Sequence, residues 1–150
     1  MPQTQEPVPP RWLKPMNKVL LGLQRSGLAM KELHVLTVVG RKSGKPRNTP
    51  VSVFEVDDGR YVVGGFPNAD WIRNVRAAGE GTLTYDRKKE RVRLVELSAD
   101  EARPILHVFP AEVPSGVDMM KQAGLVEEGT PAEFEALAGR CPVFRFESLN

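Results

Sequence analysis

The segment Gly40-Arg41-Lys42-Ser43-Gly44-Lys45-Pro46-Arg47-Asn48-Thr49-Pro50 places four cations, a serine, a threonine and two glycines on one connection. It joins two strand-like runs, Leu33-His34-Val35-Leu36-Thr37-Val38-Val39 and Val51-Ser52-Val53-Phe54-Glu55-Val56. Glycine tolerates positive φ and lets successive backbone N–H groups turn toward one point. Arginine adds a planar fork of donors and lysine a compact charge. This donor set suits a phosphate or a carboxylate. The same composition also makes an ordinary solvated turn, and the residues alone leave both readings open. The segment is not a P-loop, because the glycine spacing is wrong and Pro46 stands where Ser or Thr is required.

A second segment points to a bound ligand. Gly64-Gly65 allows close backbone approach. Trp71 offers a flat apolar face, Asn74 follows on the same helical side at i+3, and Arg73 and Arg76 add charge. Equally, Trp71, Ile72 and Val75 can simply pin a helix to a core. Other chemistry has little support. His34 and His107 are isolated, His34 on a strand where a structural role is expected, and there is no Cys/His metal spacing. No Ser, His and acid cluster marks a hydrolase. Cys141, the sole cysteine, enters an apolar run and reads as a buried, inert thiol. Any chemistry would then come from a bound cofactor.

The elements that must position these residues follow from periodicity. Residues 1–10 hold four prolines and predict a disordered arm, with residues 11–150 as one domain. Met16, Val19, Leu20 and Leu23 predict an amphipathic basic helix stopped by Gly27, packed over the domain or touching a membrane surface through residues 11–26. Strands are expected at 33–39, 50–56, 61–63, 81–85, 91–97 and 143–147. A short helix over 69–78 closes at Gly79. Arg87-Lys88-Lys89-Glu90 reads as a solvated hairpin turn. Ser98-Ala99-Asp100-Glu101 is a capping box opening a helix that Pro110 should end, and Thr130-Pro131-Ala132-Glu133 is a second one for a helix to about Gly139. Residues 111–129 read as a helix-containing loop with Ser115 as a candidate cap. Short hairpin-linked strands with few helices favour a small antiparallel barrel with helices outside, an α+β, mainly β fold.

At 150 residues, 41% hydrophobic and 27% charged, the composition is that of a globular domain. Net charge is +2, unevenly spread: residues 1–100 carry 17 Lys/Arg against 11 Asp/Glu, and residues 101–139 carry 2 against 7. The basic part holds the glycine-bearing loop, but the balance is too mild to demand nucleic acid. No secretory signal pattern and no membrane-length apolar run is present, so a cytoplasmic location is expected.

Taken together, the two segments resemble the deazaflavin-dependent nitroreductase family of actinobacteria. Gly40-Arg41-Lys42-Ser43-Gly44-Lys45-Pro46-Arg47-Asn48-Thr49-Pro50 is similar to its Gly-Arg-Lys-Ser/Thr-Gly-x-Pro-Arg-x-x-Pro pattern. Trp71-Ile72-Arg73-Asn74-Val75-Arg76-Ala77 resembles its Trp-x-x-Asn-Leu-Arg/Lys-Ala helix, and Cys141-Pro142-Val143-Phe144 its last strand. The resemblance spans roughly residues 33–147. It implies an FMN-binding-type split β-barrel that holds coenzyme F420, an 8-hydroxy-5-deazaflavin with a phosphodiester and a polyglutamate tail.

By this resemblance Arg41, Lys42, Ser43 and Gly44 form the phosphate loop, with Arg47 nearby. Thr49, Pro50 and Val51 line the deazaflavin, Gly64 and Gly65 border the ring, and Trp71 and Asn74 clasp it. The implied reaction is hydride transfer from the reduced coenzyme to a quinone, nitroaromatic or enone. The family often carries tyrosines before its last helix; here residues 109–120 have none, leaving solvent or Ser115 as proton source. The 64–70 loop also looks shorter than in the family. Phe109, Met119, Met120 and the first helix are candidates for an apolar substrate wall. A non-catalytic deazaflavin or fatty-acid binder, and an FMN-dependent reductase on the same barrel, are the alternatives. Monomer and homodimer both remain open.

Overall fold

The structure, a computed structural model, describes residues 33–150. The expected proline-rich arm and basic helix lie outside the described residues. Seven strands form one antiparallel sheet: β1 Leu33–Val39, β2 Pro46–Ser52, β3 Phe54–Val56, β4 Gly59–Val63, β5 Glu80–Tyr85, β6 Lys88–Glu96 and β7 Val143–Ser148. Their order is β2-β1-β5-β6-β7-β4-β3. The sheet curls until β2 approaches β4, giving a split barrel. Four helices are described: α1 Asp70–Ala78, α2 Ala99–Glu112, α3 Pro114–Gln122 and α4 Pro131–Glu135.

Period-2 burial divides the apolar side chains between the two faces of the sheet. On β7, Phe144 and Phe146 face the inner core with Leu36, Val38, Val62, Leu83, Val92 and Leu94. Val143 instead joins the outer core with Phe54, Leu106, Phe109 and Phe134. Helix α1 inserts Ile72 and Val75 into the inner core, both almost fully buried. Helices α2, α3 and α4 cover the outer one, where Phe109 packs on both Phe54 and Phe134 at ring separations of 5.4 and 5.2 Å.

The structure corrects several boundaries. β2 begins at Pro46, four residues earlier than expected, and pairs with β1 from Val39↔Pro46 to Leu33↔Ser52. Two prolines are tolerated because β2 is an edge strand. The expected strand 50–56 breaks at Val53, and its halves sit on opposite edges of the sheet. The 87–90 turn is tighter than expected: Asp86 and Arg87 make it with φ of 48° and 69°, and Lys88 already pairs with Tyr85. Such a two-residue turn matches the twist of paired strands.

Helix α2 runs through Pro104 and Pro110 to Glu112 rather than stopping. Burial of Ile105, Leu106 and Phe109 outweighs the lost backbone bonds. Ser115 lies inside α3; Val113 is the N-cap, and no side chain caps that helix. Helix α4 ends at Glu135, with turns continuing to Gly139.

Both predicted capping boxes form. Glu133 does more than cap. Its carboxylate accepts the backbone N–H groups of Glu127 at 2.7 Å, Thr130 at 3.1 Å, Glu128 at 3.0 Å and Gly129 at 2.7 Å. Those bonds, that from Glu127 foremost, hold its pKa at about 2 instead of 4.5. A depressed carboxyl contributes stability above its unfolded pKa and loses it as pH falls through the folded one. Glu133→Gln is therefore expected to melt below the wild type at pH 7, with the gap closing between pH 4.5 and 2. Melting curves across that range check this; a gap that persists at pH 2 refutes it.

Candidate functional site

Strand pairing places the 40–45 turn, the 64–69 segment and residues 139–142 at one end of the barrel. The 57–58 and 86–87 turns lie at the other. The first end therefore collects both segments singled out in the sequence, and α1 lies across it.

The turn closes on itself. Gly40 N–H donates to Lys45 O at 2.8 Å, Gly44 N–H to Gly40 O at 2.9 Å, and Lys45 N–H to Ser43 Oγ at 3.2 Å. Gly44 has φ +71°, which an L side chain resists. At Gly40 a Cβ would stand 2.8 Å from Ser43 Oγ, so tight closure needs the missing side chain. The N–H groups of Lys42 and Ser43 have no acceptor among the described residues. Lys42, Lys45 and Arg47 are exposed and unpaired by any described carboxylate. Adjacent unfilled N–H donors beside three unneutralised cations fit a phosphate.

Arg41 is arranged differently. Its backbone N–H and its Nη1 both donate to Asn74 Oδ1, at 3.0 and 2.9 Å, and its Nη2 lies 3.3 Å from Asp70 Oδ1. Asn74 is 5% exposed, the one buried polar side chain among the described residues. Asp70 and Asn74 are four residues apart and share a face of α1, so one guanidinium reaches both. Sequence reading brought Arg41 and Asn74 into one site but missed their bond. An asparagine on the buried side of an amphipathic helix was the available signal, since a buried amide needs a partner.

The remaining candidates divide. Thr49 and Pro50 are half-buried on β2, whereas the Val51 side chain belongs to the inner core. Trp71 is half-buried against that core, 6.1 Å from Phe144 between ring centroids. At Gly64 a Cβ would meet Ile72 Cδ1 at 2.6 Å and Pro142 Cγ at 3.0 Å, so helix packing requires this glycine. Gly65 stands beside Met120, whose side chain a Cβ would meet at 3.7 Å. Arg76 is engaged by Glu96, with bonds of 3.0 and 2.8 Å that raise its pKa. Arg73 stays exposed. Ser115 is exposed on the first turn of α3. His34 stacks on Tyr85 at 4.5 Å, away from the turn. No metal-binding group of His, Cys, Asp or Glu occurs among the described residues, and no described helix is long and apolar enough to cross a membrane.

A family model described as F420H(2)-dependent quinone reductase matches residues 16–123. No curated protein matches the chain. Among solved structures the chain is similar to one described as a domain-swapped dimer, at 21% identity and TM-score 0.57, over 91% of this chain and 97% of that one. It is also similar to a protein of unknown function from Agrobacterium tumefaciens, at 14% identity and TM-score 0.55, over 100% of this chain and 60% of that one. A structure described as an F420-H2-dependent reductase is 24% identical with TM-score 0.48, over 78% of this chain and 95% of that one. The first two likenesses are of fold.

Proposed function

Since the chain belongs to the F420H(2)-dependent quinone reductase family, an oxidoreductase family whose cofactor is coenzyme F420, we propose that it reduces an electron-poor small molecule and holds the coenzyme across the 40–51 and 64–74 segments. The acceptor classes are quinones, nitroaromatics and enones. The reduced deazaflavin, when bound, supplies the hydride. The observation that carries the site is the unfilled N–H pair of Lys42 and Ser43 beside the exposed Lys42, Lys45 and Arg47 cations.

In this reading the two N–H groups, Lys42 Nζ and Arg47 grip the coenzyme phosphate. Thr49 and Pro50 form one wall for the ring, together with the backbone of Val51. Gly65 and the face of Trp71 form the opposite border and exclude water. Gly64 contributes by letting α1 seat against residue 142. Ser115 is the side chain on which a protein-borne proton would rest, solvent being the other source.

Among the described residues β2 and β3 are the edge strands of the sheet; that, with the likeness to a domain-swapped dimer, supports a homodimer, which light scattering at micromolar concentration tests. For the function, reduced F420 is supplied with menadione, a nitroaromatic and a cyclohexenone in turn. Oxidation of the coenzyme dependent on one of these acceptors supports the reading. Saturable coenzyme binding without turnover on any of them refutes the reductase assignment.

A further inference from the structure

We infer that Asn74 is a positioning residue acting through Arg41, not a coenzyme contact; this rests on the proposed loop site. One buried oxygen, Asn74 Oδ1, accepts both the backbone N–H and the Nη1 of Arg41, at 3.0 and 2.9 Å. The amide thus fixes the backbone and the side chain of the residue that precedes the Lys42 and Ser43 N–H groups. Arg41 is only 22% exposed in its side chain and lies along α1. A buried acceptor filled by two donors of one residue over-determines that residue's conformation.

Asp70 adds little. It is 82% exposed at 3.3 Å, the geometry of a screened surface pair. The latch also ties the loop to the barrel interior, because α1 is anchored beside Asn74 by Ile72 and Val75. The loop is thereby shaped before any anion arrives, which lowers the ordering cost of binding.

The competing arrangement is a direct contact. Asn74 Nδ2 has no hydrogen bond among the described residues, so it is a donor that a bound ring could use. Two substitutions separate the readings. Asn74→Asp keeps the acceptor for Arg41 and removes the donor. Asn74→Leu removes both at similar volume.

The experiment measures F420 affinity by fluorescence titration for the wild type, Asn74→Asp, Asn74→Leu, Arg41→Ala, Arg41→Ala/Asn74→Leu and Lys42→Ala. Amide hydrogen exchange of residues 40–47 is followed in the coenzyme-free proteins, with thermal melting as the folding control. Loss of a buried hydrogen-bond acceptor predicts about tenfold weaker binding for Asn74→Leu. Asn74→Asp stays within about threefold, and Asn74→Leu adds less than about twofold on top of Arg41→Ala. The Arg41 amide exchanges faster in Asn74→Leu but not in Asn74→Asp.

Equal weakening by Asp and Leu, or multiplying losses in the double variant, overturns the inference in favour of direct contact. A protected Arg41 amide in a folded Asn74→Leu protein overturns the latch itself. Unchanged affinity in Lys42→Ala instead overturns the loop site, whatever Asn74 does.

Discussion

Lys42→Ala weakens coenzyme F420 binding by about 10- to 100-fold, the range for losing a hydrogen bond to a charged group. Lys42 is exposed and lies in the turn that Gly40, Ser43 and Gly44 close around. No described carboxylate neutralises it, so its charge is available to an anion. Nor does any described contact tie the side chain to the core, so the melting temperature is expected to stay within about 1 °C, as for most surface substitutions. Raising the salt concentration narrows the difference between variant and wild type, because an exposed charge is screened over about 8–10 Å at physiological ionic strength. Lys89→Ala is the matched control: an exposed cation on β6 beside the turn at the opposite end of the barrel. Fluorescence titrations of both variants decide the matter. Equal losses in the two variants would reduce the effect to overall charge, and normal binding by Lys42→Ala removes the phosphate from this loop.

Phe144→Ala destabilises the chain by about 3–5 kcal/mol, the range for deleting a core aromatic. Phe144 is 1% exposed on β7, an interior strand of the sheet, and its ring centroid lies 6.1 Å from that of Trp71. Truncation opens a cavity in the inner core that also holds Ile72 and Val75 of α1. The expected fall in melting temperature is about 10 °C or more for a domain of this size. Because α1 carries Trp71 and Asn74, coenzyme affinity falls as well, even below the melting temperature. Calorimetry alongside titration tests both effects. A fall under about 1 kcal/mol would mean that the core collapses around the missing ring, and intact affinity would uncouple α1 from the barrel interior.

Much of the fold is legible in local pattern. Alternation on 81–85 and 91–97 marks β5 and β6 because each of these strands has chemically distinct faces. The capping boxes at Ser98 and Thr130 mark helix starts because their hydrogen bonds span only three residues. Two of the misplacements come from decisions made by distant contacts. Pro46 looks like a loop residue until β1 pairs with it and leaves it at an edge. Pro110 looks like a helix stop until Phe109, packed between Phe54 and Phe134, carries the helix past it.

The candidate site divides in the same way. The donor set on residues 40–47 is a property of residue type, since glycine, lysine, arginine and serine keep their chemistry wherever the chain runs. Sequence alone therefore determined that an anion-suited turn exists, that it lies between two strands, and that a Trp-x-x-Asn helix follows some twenty residues on. Tertiary structure decided what each residue is free to do. Only packing shows that Gly64 makes room for Ile72 and Pro142, that Arg76 is engaged by Glu96, and that Val51 is turned into the core. Only the approach of α1 to the turn, across 33 residues of sequence, brings Arg41 onto Asn74. A hydrogen bond needs its two partners within about 3 Å, and such proximity between distant residues is set by the burial of Ile72 and Val75 rather than by any local rule.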